Sequence, residues 1–393
     1  MLLVFGILAN GGIQTLIVRI ANHLAGLGKP VAVCCEYGPL VELLDPGVEL
    51  LLWTDPRDAP KLAVSWMRQQ AAPITIVSFD PISAAMGLGI ETRLPPGSPL
   101  VHISGVYHQR AYFMTGERRD RVLLNRLVAR AVGWQRLFFQ NAETRDGHRR
   151  LFGASLRESA IIPLGVAERQ SRWVDRGERN LRIVSVGRLV DFKAYNVGAP
   201  QIVRTALETG RSLSWDIYGT GPLEDVIRSE IERQDVPSQV RVMGELPYAR
   251  FDATVADYDL FVGCGTAALE AAMVGVPVIG VADSSRDGSY GFLHELPFGN
   301  TGELQDHLPT HRIGALIERF REASAAERQA LSEQSRGAAL RYGMTETVRM
   351  LETLAGSSTT SSSRLRKWLV ARLYEAATQS APIRYVRKLR ARC

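Results

Sequence analysis

Apolar runs of strand length alternate with amphipathic helical patterns along this chain, and that alternation constrains its fold more than any other feature. Strands buried on both faces that alternate with helices are typical of a parallel sheet covered by helices on its two sides. A first series predicts strands at residues 2–9, 30–35, 74–79, 100–104, 137–140 and 160–163, with a helix at 13–27. A second series predicts strands at residues 181–189, 214–218, 240–243, 260–262 and 276–281. The pattern predicts an α/β protein of two Rossmann-like, doubly wound domains that face each other across a cleft.

A length of 393 residues agrees with two domains, because single hydrophobic cores stop growing at about 250–300 residues. Two helices are predicted near the end of the second domain, at 324–342 and 345–354, and Ser324 and Glu327 have the spacing of a capping box. The predicted division is a first domain at 1–167, a charged linker at 168–180, a second domain at 181–356, a Ser/Thr linker at 357–363 and a basic helical tail at 364–393.

Positive charge is concentrated at the C-terminal end. The chain has a formal net charge of +6, but residues 364–393 hold nine Arg and Lys side chains against Glu375 alone, which leaves residues 1–363 at −2. A protein that binds nucleic acid by charge would spread basic residues over its fold, so we expect no nucleic-acid partner.

Cysteine spacing and hydropathy favour a cytoplasmic protein. Cys34 and Cys35 are adjacent while Cys264 and Cys393 lie far away, so neither a disulfide framework nor a zinc pattern is visible. No run of about 18 apolar residues predicts a membrane span. Residues 2–9 lack a preceding basic segment, and we interpret them as a buried strand rather than a signal peptide.

Two cations mark the end of the first strand of the second series. Arg188 and Lys193 leave the carboxyl end of the apolar run at 181–189, where open α/β sheets bind their ligands. In a cleft they would neutralise the charge that builds on a departing diphosphate. The alternative is that both are solvated surface residues.

A predicted helix forms the second informative stretch. It begins with the small residues Gly265, Thr266 and Ala267, and Glu270 lies one turn inside it. The amides of a first helical turn can hold a phosphate. A buried carboxylate needs a partner, which a ribose diol or a salt bridge within the protein would supply. Together the two stretches describe a site for an anion that also carries hydroxyls, and a nucleotide diphosphate sugar fits.

A glycine pair, Gly11-Gly12, directly follows the first strand and would let backbone approach a ligand at a helix N-terminus. It forms no GxGxxG pattern, so a nicotinamide cofactor is poorly supported.

The order of these motifs is similar to that of a known family. Val186-Gly187-Arg188-Leu189 with Lys193, Tyr-Gly-Thr-Gly-Pro-Leu at 218–223 and Leu-Glu-Ala-Ala-Met-Val-Gly-Val-Pro-Val-Ile at 269–279 resemble the retaining glycosyltransferases of family 4, which have the GT-B fold. The resemblance covers most of residues 1–355.

The resemblance implies roles for individual residues. Arg188 and Lys193 would bind the donor diphosphate, Glu270 the donor ribose, and the amides near Gly265, Thr266 and Ala267 the phosphate or sugar. Gly11, Gly12, Gly187 and Gly219 would belong to the same donor site. The family generally works without a metal, so we expect no metal and no cofactor beyond the nucleotide-sugar donor.

One residue departs from the family's pattern. The family often carries a second glutamate eight residues before the helix glutamate, and that position is Val262 here.

The family also usually offers a histidine near the reacting sugar. His108 is favoured over His102 for this position, because His108 follows the carboxyl end of a predicted strand. Its role would be to position the reacting groups and stabilise charge.

The basic tail has the pattern of a helix that lies in a membrane surface. Leu365, Trp368, Leu369 and Leu373 recur at helical spacing among cations, and a second such segment follows Pro382. The alternative is a solvated or disordered tail. If the tail binds an anionic membrane, the enzyme would be peripheral at the inner face of the cell membrane, and a polyprenyl-linked acceptor would be expected.

The sequence thus predicts a retaining glycosyltransferase that moves a sugar from a nucleotide-diphosphate sugar to a glycan or lipid-linked acceptor. Synthesis of a capsule, exopolysaccharide or O-antigen is the expected setting. Two alternatives stay open: a non-catalytic nucleotide-sugar-binding scaffold and a nucleotide-sugar epimerase on the same fold.

Overall fold

The computed structural model describes residues 1–9, 11–107, 119–153, 156, 158–177, 180–302, 310–357 and 363–380. The chain forms two compact units. The first contains Met1–Gly165 and the described residues from Met344 onward, and the second is Val166–Gly343.

The first unit is built on a seven-stranded, fully parallel sheet. Its strands are β1 (Leu2–Ile7), β2 (Ala32–Glu36), β3 (Glu49–Leu52), β4 (Ile74–Ser78), β5 (Leu100–Val106), β6 (Leu137–Phe139) and β7 (Ala160–Ile161). Its helices up to this point are α1 (Gly12–Gly26), α2 (Ala59–Met67), α3 (Pro81–Glu91), α4 (Arg119–Val132) and α5 (Ala142–Phe152). The strand order is β3-β2-β1-β4-β5-β6-β7. Leu16, Ile20 and Leu24 of α1 are buried at the helical spacing that marks a core-facing side.

The second unit repeats this plan, with the order β10-β9-β8-β11-β12-β13-β14. Its strands are β8 (Leu181–Val186), β9 (Leu213–Tyr218), β10 (Val240–Gly244), β11 (Leu260–Gly263), β12 (Val278–Val281), β13 (Gly288–Phe292) and β14 (His311–Arg312). Its helices are α6 (Tyr195–Glu208), α7 (Glu224–Arg233), α8 (Phe251–Val255), α9 (Thr266–Val274), α10 (Ile313–Glu322) and α11 (Ala325–Leu340). β13 pairs antiparallel with β12 and β14, and the other described pairs are parallel.

Both series of predicted strands are present, so the prediction of two Rossmann-like α/β domains is confirmed. The sequence patterns missed β3, β13 and β14, which lie at or next to sheet edges. The predicted capping box is also present, because the backbone N–H of Glu327 donates to Ser324 Oγ and the Ser324 N–H donates to the Glu327 carboxylate.

The predicted domain boundaries need correction at two places. The second unit ends at Gly343, not at residue 356, because α12 (Met344–Ser357) buries Val348 and Leu351 in the core of the first unit. Residues 168–177 are also more than a linker, since Trp173 is buried in the core of the second unit and its Nε1–H donates to the Tyr258 carbonyl at 2.9 Å. An amphipathic helix period shows which face is buried but not which sheet it covers.

The basic tail is likewise part of the first unit as far as it is described. Its helix α13 (Arg364–Ser380) packs against α3 and α4, with Val370 and Tyr374 in their core. Lys367 Nζ pairs with Glu91 Oε1 at 2.9 Å, and both side chains are buried. Arg364 Nη2 donates to the carbonyls of Thr92 and Leu94 at 2.7 Å each. The predicted second segment of the tail, after residue 382, lies outside the described residues.

Candidate active site

The candidate site lies where two central strands of the second sheet end side by side. β8 and β11 are neighbours, and the strand order reverses between them. Ligands of open α/β sheets bind at such a switch point, beyond the carboxyl ends of the strands. The turn that carries Lys193 follows β8, and α9 follows β11, so both predicted motifs belong to this edge.

Two glycines allow the strand ends to pack closely. Gly187 and Gly219 have φ of +144° and +143°, a conformation that side-chain-bearing residues rarely adopt. A Cβ on Gly187 would collide with the Lys193 ammonium, and a Cβ on Gly219 would collide with the Gly187 carbonyl. The Gly187 N–H donates to the Tyr218 carbonyl at 2.9 Å, which joins the ends of β8 and β9. These glycines are therefore required by the geometry of the edge that holds Lys193.

Lys193 and Arg188 differ in environment. Arg188 is exposed, whereas Lys193 is only 9% exposed and its ammonium lies against Gly187. Burial lowers the pKa of Lys193, the nearby Cys264 thiol opposes that shift, and the Arg188 guanidinium adds to it. A buried ammonium whose charged form is disfavoured gains much when an anion binds. The interpretation of Lys193 as a solvated surface residue is therefore wrong.

The N-terminus of α9 also fits an anion. Gly265 is its N-cap with φ of +74°, and its N–H donates to the Thr301 carbonyl at 3.2 Å. The Gly265 N–H thus has an acceptor inside the protein. Thr266 and Ala267 are partly exposed and lie in the first helical turn, whose N–H groups have no acceptor within the helix.

Glu270 lies one turn inside α9 and is 4% exposed. Its Oε1 accepts a hydrogen bond from Tyr248 Oη at 3.0 Å and lies 3.5 Å from Arg169 Nη2. Arg169 also pairs with Asp252 and donates from Nη2 to Tyr248 Oη at 2.6 Å. Glu270 therefore has the ionic partner within the protein that was the alternative to a ribose diol. A carboxylate has about four acceptor sites, so these contacts do not exclude a ribose diol.

Arg169 and Tyr248 are functional candidates that sequence reasoning missed. Arg169 lies in the segment predicted as a linker, and Tyr248 begins a single 3-10 turn, residues 248–250, which is too short to show a periodic pattern. Arg169 lies 101 residues and Tyr248 lies 22 residues before Glu270 in the sequence. No local sequence pattern predicts contacts at such separations.

Val262 is in β11 and fully buried in the core of the second unit. The position where the resembled family often has its second glutamate is therefore a core position in this chain, and a carboxylate could not replace Val262 without polar partners that an apolar core does not offer.

The candidates in the first unit have different outcomes. Gly11 is the N-cap of α1 with extended backbone, and Gly12 opens the helix and is exposed, so both stand at a helix N-terminus as predicted. His102 is fully buried, with Nε2 3.0 Å from Ser78 Oγ and Nδ1 3.8 Å from Glu91 Oε2. A fully buried ring cannot touch a sugar, so the catalytic role considered for His102 is wrong. His108 lies outside the described residues.

The described part of the chain has neither a cluster of metal-ligating side chains nor a helix that could span a membrane. None of its His, Cys, Asp and Glu side chains form a group of three or more that could hold a metal ion. None of its helices combines the length and the apolar character needed to cross a bilayer.

Comparisons with known proteins add the following. No protein-family model matches the chain. It is 31% identical over 116 residues to a protein of Escherichia coli (strain K12) named "Putative colanic acid biosynthesis glycosyltransferase WcaL". The match covers 26% of this chain and spans only 28% of the length of that relative.

Among solved structures, the lipopolysaccharide outer core galactosyltransferase WaaB matches with a TM-score of 0.57 and 11% identity, over 91% of this chain and 99% of that one. A mutant of TarM from S. aureus, in complex with Fondaparinux, alpha-GlcNAc-glycerol and UDP, matches with a TM-score of 0.51 and 13% identity. That match covers 76% of this chain and 59% of TarM. These likenesses show the fold, which is the two-domain GT-B fold of glycosyltransferases.

Proposed function

We propose that the protein is a retaining glycosyltransferase that transfers a sugar from a nucleotide-diphosphate sugar to a glycan or lipid-linked acceptor. Cell-surface polysaccharide synthesis is the proposed setting. The WcaL relative supports the polysaccharide setting, and the UDP in the TarM complex supports a nucleotide donor.

One observation carries the proposal. A buried ammonium, Lys193, stands next to the helix N-terminus of α9 at the switch point of the second sheet, with Glu270 one turn further along that helix. Ammonium and helix amides suit a diphosphate, and the carboxylate suits ribose hydroxyls. A nucleotide diphosphate carries both groups, a diphosphate and a ribose diol, in one molecule.

The chemistry follows from the charges. The acceptor hydroxyl attacks the anomeric carbon while the bond from that carbon to the diphosphate oxygen breaks. The hydroxyl proton passes to the departing diphosphate, on the same face of the sugar, which gives retention. Arg188, Lys193 and the amides of Thr266 and Ala267 would stabilise the negative charge that develops on the leaving group. Val262 offers no carboxylate that could act as a nucleophile at its position.

Donor binding is tested by thermal shift with UDP-, GDP- and ADP-sugars, since a ligand that binds the folded state raises its melting temperature. Lys193→Met and Arg188→Ala should abolish or strongly reduce the shift. Arg312→Ala is the matched control, because Arg312 is an exposed cation of the same unit. Sugar transfer that persists in both Lys193→Met and Arg188→Ala would contradict the roles proposed for them.

Transfer itself is tested with the donor that binds and a panel of glycan and lipid-linked acceptors. The anomeric configuration of the product, read by NMR, decides between retention and inversion. Selective donor binding without transfer to any acceptor would favour the nucleotide-sugar-binding scaffold. Conversion of the donor sugar to its epimer would favour the epimerase.

We further propose that α13 binds the inner face of the cell membrane. Its buried side packs on α3 and α4, and the apolar side chains of the predicted row, Leu365, Trp368, Leu369 and Leu373, are all exposed. Arg366 and Arg372 are exposed on the same helix. Apolar side chains flanked by arginines, held outward by a rigid body, suit an anionic lipid surface.

Deletion of residues 364–393 would not test this proposal cleanly, because Lys367, Val370 and Tyr374 belong to the fold. The sharper variant is Trp368→Ser combined with Leu369→Ser, which changes exposed side chains only. This double variant should bind phosphatidylglycerol-containing vesicles at least tenfold more weakly. Fully burying one large apolar side chain contributes about 1.5–3 kcal/mol of binding free energy, and about 1.4 kcal/mol corresponds to a tenfold change in affinity. Leu27→Ser, at an exposed leucine of the same unit, is the control. Equal vesicle binding by all three proteins would refute membrane docking through α13.

A further inference from the structure

Tyr248 combines an exposed ring with a fixed hydroxyl at the edge of the candidate site. Its residue surface is 56% exposed. Its hydroxyl nevertheless has defined partners, because it donates to Glu270 Oε1 at 3.0 Å and accepts from Arg169 Nη2 at 2.6 Å. The ring is therefore held in one place while much of its surface faces solvent.

Arg169 further fixes the ring. Its guanidinium carbon lies 5.1 Å from the centre of the Tyr248 ring and 5.5 Å from the centre of the Phe251 ring. Arg169 is in turn held by its ion pair with Asp252 at the start of α8. An aromatic ring fixed by a cation and two hydrogen bonds loses little conformational freedom when a ligand stacks on it.

We propose that Tyr248 is the stacking platform for the nucleobase of the donor, and that its hydroxyl positions Glu270 for the ribose. The inference rests on the proposed function, because it assumes that Glu270 binds the ribose diol. In a nucleoside the base is one glycosidic bond away from the ribose. Ribose hydroxyls bound at Glu270 thus bring the base within reach of a ring whose own hydroxyl touches the same carboxylate. Flat aromatic faces bind any nucleobase by stacking, so this contact supplies affinity for the nucleoside rather than a choice among bases.

The test compares the nucleoside diphosphate with pyrophosphate, which lacks both base and ribose. Dissociation constants for UDP, GDP, ADP and pyrophosphate are measured by calorimetry on wild type, Tyr248→Ala and Tyr248→Phe. Tyr37→Ala is the matched control, because Tyr37 is also about half exposed and donates its hydroxyl to a glutamate, Glu42, at 2.7 Å.

We expect Tyr248→Ala to weaken binding of the preferred nucleoside diphosphate about 5- to 150-fold, the range for one stacked base. Tyr248→Phe keeps the ring, so it should bind clearly more tightly than Tyr248→Ala and lose about tenfold or less through the missing hydrogen bond. Pyrophosphate should bind all four proteins equally.

Equal nucleotide affinity of the Ala and Phe variants would overturn the platform, and so would a loss of pyrophosphate binding as large as the loss of nucleotide binding. In both cases the proposed function would stand if wild type binds a nucleoside diphosphate and loses it on Lys193→Met. A wild type that binds none of the three nucleotides would refute the proposed function and this inference together.

Discussion

Lys367 offers a sharp test of how α13 is held to the first unit. Lys367 Nζ lies 2.9 Å from Glu91 Oε1, and the two side chains are 8% and 7% exposed. Replacing one partner of such a pair leaves the other charge buried without compensation, which costs about 3–5 kcal/mol. His102 Nδ1 lies 3.8 Å from the second oxygen of Glu91 and gives partial compensation. We therefore expect Lys367→Met to destabilise the first unit by about 3 kcal/mol, the lower end of that range.

Two further variants separate charge from packing. Glu91→Gln combined with Lys367→Met removes both charges and should recover stability to within about 1 kcal/mol of wild type, because a buried pair and a neutral replacement are close in energy. Arg372→Met breaks an exposed pair with Glu375 on the same helix and should cost less than about 1 kcal/mol. Urea unfolding with amide hydrogen exchange on α3 and α13 measures each effect where it arises.

The same pair predicts a dependence on pH. Burial alone would raise the pKa of Glu91, but His102 and Lys367 outweigh it and hold that pKa below its ordinary value. A lowered carboxyl pKa contributes stability above the ordinary pKa, and this contribution is lost as the pH falls through the folded-state pKa. The deficit of Lys367→Met should therefore be full at neutral pH and shrink in the acid range. A deficit that does not change with pH, or a double variant no more stable than Lys367→Met, would refute the reasoning.

Three other outcomes are expected. Lys193→Met should raise the stability of the second unit at neutral pH, because the buried ammonium disfavours folding below its lowered pKa. This gain should fade as the pH rises toward the ordinary lysine pKa. Thermal unfolding at several pH values checks it, and a variant less stable than wild type would count against it. Ser324→Ala should cost about 1 kcal/mol in urea unfolding by removing the N-cap of α11, whereas Ser324→Asp should keep most of that stability. Gly187→Ala should lower the free energy of unfolding by about 1 kcal/mol or more, because the φ of Gly187 is positive. It should also weaken donor binding, because the added Cβ would displace Lys193. Calorimetry with the preferred nucleotide checks this, and an unchanged affinity would contradict it.

Much of the fold could be predicted from the sequence because the signals are local. Buried strands such as β1, β4 and β8 are short apolar runs, and the capping box of α11 is read from Ser324 and Glu327 three residues apart. The missed strands at the sheet edges give a weaker signal. β3 has an apolar run of only three residues, Leu50–Leu52, and is only partly buried, whereas β14 consists of two exposed residues.

Site residues were predictable where glycine geometry or helix position fixes them. Gly187 and Glu270 follow from a strand end and a helix turn, and both lie at the expected edge of the second sheet. The environment of Lys193 was not predictable, because Cys264, which affects its pKa, is 71 residues further along the chain and comes near only through the pairing of β8 and β11.

The sequence by itself determined two α/β units, most of their strands, and the cations and glycines at one sheet edge. Tertiary structure alone decided that α12 and α13 belong to the first unit, that Arg169 and Tyr248 hold Glu270, and that His102 is a core residue. The physical reason is distance along the chain. Helix and strand periods record which face of an element is apolar, whereas the partner of a buried charge is chosen by packing between elements that can be 276 residues apart, as in Lys367 and Glu91.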